Sequence, residues 1–156
     1  MAHQVLAGIA ILAVAVIYGT DVFCAVVQRA AMARVGDGVL TAAMGYIHLY
    51  GDQRLKFPGA IGLITTLAAA VTGALTGRGI GSVVAGFVAV AALIVWFGIY
   101  GRISAPVNAR LTAAAEANQV PPDARALQQT WDSVINPRAG LQGIALLSLY
   151  LSSVLS

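Results

Sequence analysis

The residues best suited to chemistry lie just before a long apolar stretch, where His48 and Asp52 are four positions apart. A helix over residues 38–50 that continues to Asp52 places both side chains on one face. A carboxylate can fix the tautomer of an imidazole, which titrates near neutrality, so this pair is suited to removing a proton from a substrate. Tyr46 and Tyr50 share another face. The alternative is that His48 and these tyrosines form an aromatic belt at a membrane surface.

A second candidate is Asp21, a carboxylate late in the first apolar segment. A carboxylate inside a bilayer is costly unless it is paired, neutral or hydrated, so it marks a polar site. Tyr18, Cys24 and Gln28 lie on the same helix face. Asp21 therefore contributes to a substrate site, is solvated at the interface, or pairs with a loop arginine as a structural lock.

The elements that must position these residues are membrane helices. Hydrophobic residues make up 59% of the chain and charged residues only 10%, whereas soluble domains average about 25% charged residues. The single cysteine, Cys24, excludes an intramolecular disulfide. The chain is thus predicted to contact the lipid bilayer, and its basic residues are not read as a nucleic-acid signal.

Four apolar segments each approach the length of about 20 residues that crosses a bilayer. They predict an all-α integral membrane four-helix bundle that forms a single domain over residues 1–156. The predicted spans cover about residues 5–27, 58–76, 80–100 and 139–155, with Asn136 capping the last one and Pro137 in its first turn. Glycines four apart, such as Gly73 and Gly77, indicate close helix packing, with a homo-oligomer as their other use.

All basic residues except Arg78 lie in the two long connections, residues 28–57 and 101–138. By the positive-inside rule both connections are predicted to be cytoplasmic, with both termini outside a bacterial-type plasma membrane. The connections are expected to contain short helices that cover the site. In the second connection, one helix is predicted from a Ser104 cap to about Ala117 and another over residues 123–135.

Trp131 and Arg138 lie at the end of the second connection. An indole ring can stack on a flat aromatic molecule while a guanidinium binds its oxygen anions. The two residues therefore predict a clamp for a polar aromatic ligand. The alternative for Trp131 is a membrane-interface anchor.

The chain resembles a family of small four-span membrane proteins of unknown function that includes the anthrone oxygenases. The pieces that carry the resemblance are residues 19–23, 44–54, 106–111 and 131–138, which are spread over nearly the whole chain. The resemblance implies a four-helix membrane bundle and, in the characterised branch, oxidation of an anthrone to an anthraquinone by O2 without an obvious metal or organic cofactor. The site residues that it carries over are Asn108, Arg110, Trp131 and Arg138.

The resulting hypothesis is a membrane-embedded, oxygenase-like enzyme, a monooxygenase without a cofactor, that oxidises a lipophilic anthrone-like or hydroquinone-like aromatic with O2. His48, oriented by Asp52, removes a proton, and Arg138 or Arg110 stabilises the anion that forms. Trp131 stacks on the ring. The remaining candidates for substrate contact are Asp21, Tyr50 and Asn108.

Two alternatives stay open from the residues alone. A haem with two histidine ligands is not expected, because the predicted topology puts His3 and His48 on opposite faces of the membrane, but a single metal completed by Asp21, Asp52 or Cys24 is not excluded. The other alternative is a non-enzymatic membrane protein, namely an accessory subunit, a quinone-binding module or a small carrier.

Overall fold

The computed structural model describes residues 1–155, which form helices joined by short connections and contain no strand. The prediction of an all-α protein is confirmed for this part of the chain. Five continuous helical segments follow one another: α1 Ala2–Met32, α2 Asp37–Arg54, α3 Lys56–Leu75, α4 Ile80–Glu116 and α5 Ala124–Val154.

Three of these helices, α1, α3 and α4, are long and apolar enough to cross a membrane. Large apolar side chains such as Leu12, Ile64 and Val84 are exposed on their outer surfaces, which indicates contact with a lipid bilayer. The predicted fourth span, residues 139–155, is not among the three, so the four-helix membrane bundle is not confirmed. This part of α5 carries Gln142 and Ser152, whose side chains are buried within the protein.

α4 does not end where the third span was predicted to end. A π-helical turn, Tyr100–Ser104, joins its two parts, and the Ala105 N–H bonds to the Tyr100 carbonyl five residues earlier. Pro106 has no N–H to give to the regular helical pattern, and the wider turn lets the helix continue past it. The predicted Ser104 cap is therefore wrong, since Ser104 lies inside a continuous helix and its side chain makes no capping bond.

α5 is also longer than predicted. It runs through Pro137 without a break, so the prediction that Asn136 caps a separate membrane helix is wrong. The helix packs against both α1 and α4 along much of its length. Those contacts outweigh the single backbone hydrogen bond that a proline removes.

α2 lies beside the second half of α4, the part that follows the π-helical turn. The two helices are so close at Gly45 that a Cβ there would collide with the Ala115 Cβ and the Leu111 carbonyl oxygen. The helix continues through Gly51, which is the condition for His48 and Asp52 to share a face, and only Leu55 separates α2 from α3. This tight packing of α2 on α4 holds His48, three residues after Gly45, in the protein interior.

The buried apolar residues form two clusters. One has small side chains and lies among the apolar helices; the other has larger side chains and includes α2. The first contains Ala10, Val14, Ala89, Leu93, Ala145 and Leu149, and the second contains Leu40, Met44, Leu111, Leu127, Trp131 and Ile135.

Candidate functional site

A cavity of about 160 Å³ is lined by residues from all five helices. Both catalytic candidates from α2 reach it, as do the candidates from α1 and α5. The predicted site residues that line the cavity are Asp21, His48, Asp52, Asn108, Trp131 and Arg138.

Tyr50 and Arg110, which were predicted to belong to the site, do not line the cavity. Tyr50 is half exposed, with the Arg54 guanidinium 5.1 Å from its ring centre. Arg110 forms an exposed ion pair with Asp123 at 3.0 Å. Each is two residues from a cavity residue on its helix, and two residues along a helix point to nearly opposite sides.

Asp21 is held by a buried ion pair. Arg138 Nη2 donates to Asp21 Oδ1 at 2.8 Å, while Gln142 Nε2 and Trp96 Nε1 donate to Oδ2 at 2.6 Å and 3.1 Å. Asp21 is 2% exposed and Arg138 is 5% exposed. Of the possibilities raised for Asp21, pairing with an arginine is the one present, and it ties α1 to α4 and α5.

The Arg138 guanidinium also lies among aromatic rings. Its central carbon is 5.5 Å from the centre of the Trp131 ring and 5.6 Å from those of Trp96 and Tyr100. Its Nη1 donates to Ser104 Oγ at 2.8 Å, but its Nε has no partner. Ring faces favour a nearby cation, so this charge is stabilised by its surroundings as well as by Asp21.

The predicted hydrogen bond between His48 and Asp52 is not formed. Asp52 Oδ1 instead accepts from the Tyr100 hydroxyl at 2.7 Å and from Asn108 Nδ2 at 2.9 Å. Although His48 and Asp52 share a helix face as expected, the carboxylate is bound by donors on α4. The idea that Asp52 orients His48 is therefore corrected.

His48 is buried, and its ring centre lies 5.3 Å from that of Trp131. Burial, together with the positive charge of Arg138, lowers the pKa of His48 to about 4. The imidazole is thus neutral at pH 7, and its Nε2 has no partner within the protein. A neutral imidazole nitrogen can accept or donate one hydrogen bond, depending on the tautomer.

Four buried polar atoms on cavity residues lack a hydrogen-bond partner among residues 1–155. They are His48 Nε2, Asn108 Oδ1, Trp131 Nε1 and Arg138 Nε. An unpaired buried polar group costs about 1–3 kcal/mol, and native proteins contain few of them. The set includes two donors, on Trp131 and Arg138, and an acceptor, on Asn108. It therefore fits a small molecule that has both an oxygen that accepts a hydrogen bond and a hydroxyl that donates one.

The sequence-based search did not single out Trp96, Tyr100 or Gln142 as site residues. Positions 96, 100, 104 and 108 share one face of α4, because residues four apart in a helix lie above one another. The prediction divided this helix at Tyr100, so it did not show that residues on the two sides of the division share a face. The predicted break at Asn136 likewise separated Arg138 from Gln142, although the two residues are four apart on one face of the continuous helix α5.

The two histidines lie in different surroundings. His3 Nδ1 is 2.9 Å from the Ala69 carbonyl oxygen and Nε2 is 3.0 Å from that of Ser152, so His3 does not reach the cavity. Among the described residues, no group of three or more His, Cys, Asp and Glu side chains is arranged to hold a metal ion.

Comparisons with protein-family models, curated proteins and solved structures find no match to the chain. The resemblance to the family of the anthrone oxygenases stays a prediction.

The lowered pKa of His48 predicts how stability depends on pH. Between the ordinary histidine value of 6.5 and about 4, the unfolded chain binds a proton that folded His48 does not. His48 therefore does not lower the free energy of unfolding above pH 6.5. As the pH falls from 6.5 to about 4, it lowers that free energy by about 3 kcal/mol at most. Unfolding in detergent should be followed from pH 7.5 to 4.5 for the wild type and His48→Leu. The variant should lose less stability on acidification, whereas equal losses would contradict this assignment.

Proposed function

We propose that the protein is a membrane-embedded enzyme that oxidises a lipophilic hydroquinone-like or anthrone-like aromatic with O2. The observation that carries the proposal is the set of four unpartnered polar atoms on residues that line one otherwise largely apolar cavity. An aromatic compound with ring oxygens supplies partners for these atoms and apolar surface for the walls.

The substrate ring packs beside Trp131, which also lies close to His48. The Nε–H of Arg138 and the indole N–H of Trp131 donate to a ring oxygen, and Asn108 Oδ1 accepts from a ring hydroxyl. These donors stabilise negative charge on that oxygen and so lower the pKa of the bound phenol or enol. The apolar walls keep water from the anion.

His48 Nε2 accepts the proton. The low pKa of His48 makes it a weak base, so the transfer depends on the stabilisation that Arg138 gives to the anion. Asp52 does not touch His48 and acts instead by fixing Tyr100 and Asn108 beside the substrate.

The electrons of the anion then pass to O2. A hydroquinone breaks its two O–H bonds, gives two electrons and two protons to O2, and yields a quinone and hydrogen peroxide. An anthrone loses a C–H proton to His48, its carbon bonds to O2, and the peroxide anion takes the proton back from His48. The resulting hydroperoxide loses water, leaving one oxygen atom in the new carbonyl. Neither route needs a further oxidant.

A quinone-binding module without catalysis is the second candidate. The low pKa of His48 favours it, because a weak base suits hydrogen bonding better than proton removal. In that case the same four atoms hold the ring without turnover.

Oxygen uptake distinguishes these functions. The purified protein in lipid vesicles is given a hydroquinone or an anthrone, and O2 consumption is compared with the rate of autoxidation in empty vesicles. Asn108→Leu removes an acceptor for a ring hydroxyl and should lower the protein-dependent rate by roughly tenfold, while Asn136→Leu, at an exposed position on α5, should not change it. Ligand binding without uptake would favour the binding module, and neither binding nor uptake would contradict both candidates.

A further inference from the structure

We propose that the substrate is a hydroquinone lipid, with one aromatic ring and a long apolar tail, whose ring enters the cavity sideways from the bilayer. This inference rests on the proposed function and specifies its substrate. It follows from the size of the cavity, from the distribution of polar atoms along it, and from the residues at its rim.

The size of the cavity favours a single ring. Its volume is about 160 Å³, and an apolar cavity of about 150 Å³ is known to hold one benzene molecule. Pockets that enclose larger ligands have volumes of roughly 300–1,000 Å³. Three fused rings therefore exceed the enclosed space, whereas the ring of a hydroquinone fits.

The unpartnered polar atoms belong to deeply buried cavity residues. His48, Trp131 and Arg138 are each about 95% buried or more, whereas Ile47 and Lys56 on the cavity wall are exposed and Gly51 is half buried. A ligand thus inserts its oxygen-bearing ring first and leaves its other end at the rim. At the rim Ile47 offers an apolar side chain beside the Lys56 cation, so an apolar tail has a surface to lie against.

The surroundings of the rim resemble a membrane surface. Lys56 lines the cavity, the next residue, Phe57, is exposed, and the Lys56 amino group lies 5.2 Å from the centre of the Phe57 ring. Aromatic rings with basic side chains are typical of the boundary between lipid and water. Lys56 begins α3, one of the helices able to cross a membrane. A tail leaving the rim consequently passes directly into lipid.

Two glycines keep the rim open. A Cβ at Gly51 would meet nothing within 4 Å, and one at Gly59 would meet only the Phe97 ring at 3.7 Å, an ordinary contact. Backbone packing therefore requires neither glycine, although each costs about 1 kcal/mol relative to alanine in a helix. Their missing side chains leave room for the chain of a ligand.

The test compares three substrates in vesicles: a hydroquinone with a long isoprenoid tail, the same ring without a tail, and an anthrone. The wild type should oxidise the tailed compound with a kcat/KM at least roughly tenfold above those of the other two. Gly51→Leu should lower kcat/KM for the tailed compound by roughly tenfold or more. It should lower kcat/KM for the tail-less ring less, because only a tail stays at the rim once the ring is bound. Gly98→Leu is the control, since Gly98 is also helical with open space around it but does not line the cavity.

The outcomes separate this inference from the proposed function. Oxidation of the anthrone or the tail-less ring as efficiently as the tailed compound would overturn the inference and leave the proposed function standing. Equal effects of Gly51→Leu and Gly98→Leu on the tailed compound would also overturn it. Oxidation of none of the three compounds would overturn the proposed function itself.

Discussion

Arg138→Met is expected to destabilise the protein by about 3–5 kcal/mol, because it leaves the Asp21 carboxylate buried without its cation. Trp96 and Gln142 still donate to that carboxylate, but two neutral donors do not replace the charge of a guanidinium. The measurement is the free energy of unfolding in mixed detergent. A loss below about 1 kcal/mol would contradict the structural role of this pair.

Two further variants separate the burial of a lone charge from a general loss of packing. The double variant Asp21→Asn with Arg138→Met should be more stable than Arg138→Met alone, since no unpaired charge then remains. Arg110→Met is the matched control: its partner Asp123 is at the surface, so the change should be below about 1 kcal/mol. A double variant no more stable than Arg138→Met would show that the charge is not the cause.

His48→Leu and His3→Leu are expected to have opposite effects. His48 Nε2 has no partner, so His48→Leu should leave stability unchanged or raise it by about 1–3 kcal/mol at pH 7. It should also lower the rate of O2 uptake by roughly 10²- to 10⁴-fold, since the group that accepts the proton is lost. Oxygen uptake and detergent unfolding are measured on the same preparations.

His3 is the control because both of its ring nitrogens are close to backbone carbonyl oxygens. His3→Leu should destabilise the protein by about 1–3 kcal/mol and leave turnover per folded molecule unchanged. If His48→Leu proved as destabilising as His3→Leu and turned over at the wild-type rate, His48 would be a structural residue and not part of the mechanism.

The composition and the apolar segments were enough to predict an all-α membrane protein, because bilayer thickness sets the length of a span. They were not enough to predict that α4 continues past Tyr100 or that α5 runs unbroken through Asn136. Local signals at Ser104 and Asn136 are those of helix starts, yet both residues lie inside continuous helices. A π-helical turn before Pro106 and the packing of α5 overrule those signals, and neither is visible in local sequence.

The candidate site was partly predictable for a related reason. Residue type drew attention to Asp21, His48 and Arg138, since ionisable groups beside apolar segments need partners. The partners themselves lie on other helices: Asp21 is bonded across more than 100 positions of sequence to Arg138, and Asp52 bonds to α4 instead of His48. Helix spacing constrains neighbours within one helix, but no pattern in a single sequence specifies which helices face each other.

The measurement that tests the central claim most directly is the identity of the molecule that copurifies with the protein. The wild type and Gly51→Leu are purified in mild detergent from native membranes, and the extracted small molecules are identified by mass spectrometry, with visible absorption and metal content recorded. A single-ring quinone or hydroquinone with an apolar tail is expected at near-stoichiometric amounts in the wild type and at lower amounts in the variant. Bulk phospholipid alone in both preparations, or a stoichiometric haem or metal, would contradict the account.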